Sequence, residues 1–131
     1  MFPRIDKGPI EYSLDIRRAW NQKEKRECIR FRFETIEEFH HFQYEISVDN
    51  ALRKGKIEFA LRGLTTKGML LPASGHAETV IDFCDLEGKY TVAVSKPGPI
   101  TNEFLIHVTP KSVRIVDGIA ADPSFLVVRA R

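Results

Sequence analysis

Hydrophobic and polar residues alternate along most of this chain with a period of two. Tyr12, Leu14 and Ile16 interleave with Ser13, Asp15 and Arg17, and Ile29, Phe31 and Phe33 with Arg30, Arg32 and Glu34. Phe42, Tyr44, Ile46 and Val48 alternate with Gln43, Glu45 and Ser47, and Ile57, Phe59 and Leu61 with Glu58, Ala60 and Arg62. Further on, Ile81 and Phe83 oppose Asp82, while Tyr90, Val92 and Val94 oppose Lys89, Thr91 and Ala93. Phe104, Ile106 and Val108 close the series against Leu105 and His107. Successive side chains of a strand point to opposite faces, so each stretch reads as a strand with one face inward. The predicted strands are Glu11 to Trp20, Cys28 to Glu34, Phe42 to Val48, Ile57 to Arg62, Ala77 to Phe83, Lys89 to Ser95 and Glu103 to Thr109.

Turn chemistry separates them. Asn21 to Glu27 is a charged loop, Asp49-Asn50 begins a turn, and Arg53-Lys54-Gly55-Lys56 is a hairpin tip. Lys96-Pro97-Gly98-Pro99 is a rigid turn, and Pro72 to His76 and Gly118 to Pro123 are loops. Thr35 with Glu38 fits a capping box, which predicts one short helical turn over Thr35 to His41. Met69 to Leu71 is a candidate short strand, and Val113, Ile115 and Val116 continue the seventh strand or add an edge strand. Ser124 to Arg129 is apolar on both faces and needs cover on both sides. Strands of about six residues, with turns every eight to twelve, are the rhythm of a sandwich or barrel. Residues 1–9, with Pro3, Gly8 and Pro9, read as an N-terminal tail; 10–131 read as one domain.

The corner Asp85-Leu86-Glu87-Gly88 is followed by Lys89 and Tyr90. Asp-x-x-Gly-x-Tyr before an alternating strand resembles the tyrosine corner of immunoglobulin-like sandwiches. The resemblance covers about a tenth of the chain and lies at the level of fold, which carries no function with it. It implies that the Tyr90 ring packs in the core, that its hydroxyl bonds to backbone a few residues upstream, and that Gly88 takes a conformation closed to bulkier residues. The chain departs from antibody-type domains at Val92, where a Cys is expected, at Ile29 or Phe31, the position of its partner, and near Phe42 or Tyr44, where a core Trp is expected; Trp20 lies elsewhere. The fold expected is all-β: an immunoglobulin-like antiparallel β-sandwich of about seven to nine strands, with at most one short helical turn.

At 131 residues the chain can bury a sizeable core, and nine Phe supply bulky material for it. The formal net charge is +2, too near neutral to imply nucleic acid. Pleat parity puts Cys28 with Arg30 and Arg32, and Cys84 with Asp82, on outward faces. A core disulfide is therefore not expected, while a surface pair on neighbouring strands stays open. Free thiols and a charged, Pro3-broken N-terminus without a signal-peptide core lead to a cytoplasmic expectation. An exported domain trimmed of its leader gives the same sequence. No apolar run is long enough to span a membrane as a helix.

Candidate chemistry is sparse. His40 and His41 point to opposite faces of any strand, and a zinc site needs three or four convergent ligands, so no metal is expected. Ser74-Gly75-His76 lacks the Gly-x-Ser-x-Gly context of a hydrolase elbow. Asp82 and Asp85 flank a corner and are expected to pair with arginine or backbone. No glycine spacing makes a phosphate loop. Arg17, Arg30 and Arg32 face outward on the first two strands; if the fifth strand is their neighbour, Glu78 and Asp82 absorb much of their charge. Without interleaved outward aromatics, a nucleic-acid face is not expected.

The third, sixth and seventh strands are expected to share a flat, lightly charged face formed by Gln43, Glu45, Thr91, Ala93, Leu105 and His107, suited to docking. The function expected is a non-catalytic interaction module, binding another protein or its own copy through the Thr91–Leu105 face or the strand from Ser124 to Arg129, with neither catalytic residues nor cofactor. The alternative is a carbohydrate-binding module, with Trp20, Phe39 or Phe2 as sugar platforms. A small enzyme is the third reading, and it requires a pocket where His, Cys or carboxylates converge.

Overall fold

A computed structural model describes residues 10–40, 44–66, 75–120 and 124–131. Nine strands run through them: β1 (Tyr12–Asn21), β2 (Arg26–Phe39), β3 (Tyr44–Arg53), β4 (Lys56–Thr66), β5 (Gly75–Phe83), β6 (Gly88–Lys96), β7 (Ile100–Val108), β8 (Val113–Ala120) and β9 (Leu126–Ala130). They form one sheet in the order β8-β7-β6-β4-β3-β5-β2-β1-β9. The inward positions read from the alternation are the core: Leu14, Ile16, Ile29, Phe31, Phe33, Ile46, Ile57, Phe59, Leu61, Val92, Val94, Phe104, Ile106 and Val108 are all buried. Burying each such side chain stabilises the fold by roughly 1.5–3 kcal/mol.

The ladders are uneven. β5-β2-β1-β9 form one well-paired block and β3-β4-β6-β7-β8 another. Among the described residues the blocks join through a single parallel bridge, Glu45 to Glu78, beside which the Thr79 hydroxyl donates to the Ile46 carbonyl. At the opposite seam β8 and β9 approach each other without a ladder, so the sheet is a nearly closed barrel. Side chains close the seam instead. The Asn102 side-chain oxygen accepts from the Phe125 N–H at 3.1 Å and from the Ser124 hydroxyl at 3.2 Å. Lys96 Nζ sits 2.5 Å from Glu11 Oε1 and 5.2 Å above the Phe125 ring, and Arg18 donates to the Thr109 carbonyl. Inside, Phe59 of one block meets Phe31 and Phe33 of the other, with ring centroids 5.1 and 5.0 Å apart.

Several expectations are corrected. The pairing is mixed rather than antiparallel: β1–β9, β3–β5 and β4–β6 are parallel. The chain leaves β4 for the other block at β5 and returns as β6, and two such crossings restore the original direction. The helical turn expected from Thr35 onward is not there through Phe39, because β2 continues with a register shift between Glu34 and Glu38. The Thr35 hydroxyl that a capping box would spend on a helix start instead accepts the Ala77 N–H of β5 at 2.9 Å and donates to the Glu37 carbonyl at 2.8 Å. The Asp49-Asn50 turn is also strand, since β3 runs on to Arg53 and absorbs an irregularity opposite Gly63, whose φ is +137°. The Met69 to Leu71 strand falls outside the described residues. The free thiols are corrected as well: Cys28 and Cys84 form a disulfide. Both lie outward, as parity requires, and the β2–β5 register that opposes Ile29 to Phe83 places them side by side. One leg of the cytoplasmic expectation falls with them. Among the described residues no helix is long and apolar enough to cross a membrane.

Candidate functional site

The outer face of β3, β4, β6 and β7 carries a hollow of about 420 Å³. Register builds it. One row across the strands reads Ala51, Glu58, Ala93, Glu103; the next reads Asp49, Ala60, Ser95, Thr101. Outward positions of central strands usually carry long polar side chains, but here Ala60, Ala93 and Ser95 make a low floor. Ala93 is only 7% exposed although it points away from the core.

The rim is charged but largely self-neutralised. Arg53 Nε donates to Glu58 at 2.8 Å, and Lys56 Nζ lies 3.7 Å from the same carboxylate and 4.0 Å from Glu103. The hydrogen bond from Arg53 holds the Glu58 carboxyl below its ordinary range. Asp49 is held by Arg62 at 2.8 Å. None of the lining residues is a His or Cys, and the Ser95 hydroxyl is directed at the Phe59 carbonyl 3.5 Å away. Such a recess can receive a protruding side chain; its lining offers no nucleophile with a neighbouring imidazole base.

Of the expected interaction face, Ala93 lies in the floor of this hollow. Thr91 and Leu105 oppose each other in the adjoining row with Lys56, and His107 opposes Lys89 one row further on. Glu45 is not brought to them. β4 intervenes between β3 and β6, and Glu45 stands six residues along β3 from Ala51, about 20 Å at the rise of a strand, beside Glu78 of the other block. Gln43 lies outside the described residues. The β4 contribution of Lys56, Glu58 and Ala60 was missed because alternation does not give strand order; the small outward Ala60 repeats the signal that singled out Ala93.

At the corner, the Glu87 N–H donates to the Tyr90 hydroxyl at 3.2 Å, and Tyr90, half-buried, packs against the core. Gly88 sits at φ +98°, and Asp85 is bonded by Arg26 at 3.0 Å. The corner links β5 to β6, which are separated in the sheet by β3 and β4. Asp82 is gripped by Arg30 through two 2.9 Å hydrogen bonds and by Asn21 at 2.8 Å. His76 Nδ1 is 2.7 Å from the Thr35 carbonyl; His40 is exposed and His41 lies outside the described residues. Among the described residues no group of three or more His, Cys, Asp or Glu is placed to hold a metal ion. Compared with known proteins, the chain matches no family model, no curated protein and no solved structure.

Proposed function

We propose that this protein is a non-catalytic interaction module that docks another protein, or a second copy of itself, across the outer face of β4, β6 and β7. The observation that carries the reading is the recess floored by Ala60, Ala93 and Ser95, with a rim whose charges are already paired. A partner side chain entering it displaces water from small apolar atoms without stripping an unpaired ion. Ala93→Arg fills the recess from its floor, and its melting temperature is compared with that of the wild type. The expected outcome is association that rises with concentration in sedimentation, or a partner captured by the wild type, and its loss in Ala93→Arg at unchanged melting temperature. A protein that stays monomeric at high concentration and captures nothing that Ala93→Arg releases would end this reading. The carbohydrate alternative has Trp20 in its favour, since that residue is 54% exposed; a glycan array without hits removes it.

A further inference from the structure

A second hollow, about 340 Å³, opens on the outer face of β9, β1 and β2, in the other block. Four arginines line it, Arg17, Arg32, Arg129 and Arg131, against two side-chain carboxylates, Asp15 and Glu34, so the lining side chains carry four minus two, a formal +2. The arginines are unequally engaged. Arg32 is spent on Glu34 at 3.2 Å and Glu78 at 2.6 Å. Arg17 and Arg131 both lean on one carboxylate, Asp15, at 3.5 and 3.3 Å. Arg129 stands opposite Asp15 in the β1–β9 register but has no ion-pair partner among the described residues. A guanidinium carries five N–H donors, so Arg17, Arg129 and Arg131 keep most of theirs for an incoming acceptor.

The surroundings narrow the ligand. Ile36 and Val127, 49% and 46% exposed, stand beside the arginines and offer contact to an apolar group. Asp15 and Glu34 interrupt the positive field, which disfavours the continuous charge of a phosphate backbone. No aromatic side chain lines the hollow for base stacking. Among the described residues β9 pairs with β1 and its other edge faces β8 across the closed seam, so a ligand reaches the hollow from its outer face, along the row of Val127 and Arg129.

We propose that this hollow binds an extended acidic peptide segment of a partner protein, its carboxylates on Arg17, Arg129 and Arg131 and an apolar side chain against Ile36 and Val127. The site is separate from the recess over Ala93 and stands or falls independently of it. The probe is a fluorescein-labelled peptide of alternating Glu and Leu, titrated by anisotropy with the full, disulfide-bonded chain, beside its Gln/Leu counterpart and a single-stranded DNA oligomer. The expected result is saturable binding of the Glu/Leu peptide, absent for Gln/Leu, weakened by added salt and weakened about tenfold or more by Arg129→Glu. Because Arg129 breaks no ion pair on leaving, the melting temperature of Arg129→Gln is expected to match the wild type while its affinity for the peptide falls; Arg129→Glu sets a second carboxylate opposite Asp15 and is read beside it, with its own melting temperature measured. Ala93→Arg leaves the titration unchanged. No saturable binding at low salt, equal binding of Gln/Leu, or indifference to Arg129→Glu overturns the proposal. So does DNA bound as tightly as the peptide and lost in the same variant, which makes the hollow a polyanion site.

Discussion

The two blocks of the barrel present outer faces built on opposite plans. On β5-β2-β1-β9 charged side chains stand among shorter outward ones such as Ser13, Ala19 and Val127, and the charges interlock along and across strands: Arg30 with Asp82 and Arg32 with Glu78 across β2 and β5, Arg32 with Glu34 and Arg17 with Asp15 along one strand, and Arg131 with Asp15. A disulfide joins two of these strands on the same face. On β4 and β6 the outward positions Ala60, Ala93 and Ser95 are small, and the neighbouring charges pair around a recess instead of across it. Both faces are outward and obey the same alternation, so pleat parity is silent on their difference. What differs is that the short side chains Ala60, Ala93 and Ser95 lie side by side on the second face, while on the first the ion pairs and the disulfide link neighbouring strands. The first face is stiffened by covalent and ionic links; the second is left low enough to be filled by something else.

The largest test of that contrast is the disulfide, which has no counterpart on the second block. Cys28 and Cys84 are separated by 56 positions, and closing a loop of that size in the unfolded chain is worth about 4 kcal/mol. Urea unfolding with and without reductant is expected to show a fall of that order. If the midpoint does not move, the first block owes its stiffness to packing alone and the contrast reduces to charge.

The next effect bears on how the blocks are held together where no ladder spans them. Asn102 is fully buried on β7, and its side-chain oxygen takes the Phe125 N–H just ahead of β9. Asn102→Ala leaves that buried donor without this acceptor, a cost of about 1–3 kcal/mol. Urea unfolding measures the loss, and hydrogen exchange is expected to show faster exchange of β9 amides than of β2 amides. Equal exchange would mean that the seam is closed by the apolar core and not by the side chains that cross it.

Much of the core was legible because an inward position needs only parity: Phe31, Phe59 and Ile106 are fixed by their neighbours in sequence and nothing else. The pairing of Arg30 with Asp82 and of Arg32 with Glu78 was also within reach, since it needs only that the fifth strand lie beside the second. Register and strand order were out of reach, because they depend on contacts between residues far apart in the chain. Cys28 and Cys84 show the limit best: alternation gave their face, while only the slide of β5 along β2 decides that they meet. The same limit hid Lys56, Glu58 and Ala60 from the recess, since β4 inserts between β3 and β6. It hid Arg129 and Arg131 from the second hollow too, since β9 returns parallel to β1.

The smallest effect is acid dependence, and it asks whether the ionic face contributes stability or only order. Asp82 is 10% exposed, and the hydrogen bonds from Arg30, more than the partly opposing desolvation, with a further bond from Asn21, depress its carboxyl below the ordinary 3.8. A carboxyl with a depressed folded value binds its proton more weakly in the native state than in the unfolded one. The pair's contribution, about 1 kcal/mol, is therefore complete above pH 3.8 and fades as pH falls through the lower folded value. Asp82→Asn removes the charge and should be less stable than the wild type at pH 7, with the gap closing as both are titrated below 3.8. Unfolding curves collected across that window read the gap directly. Two profiles that run parallel down to strong acid would assign the lattice no share of the stability, leaving the disulfide as the only feature that sets the first face energetically apart from the second.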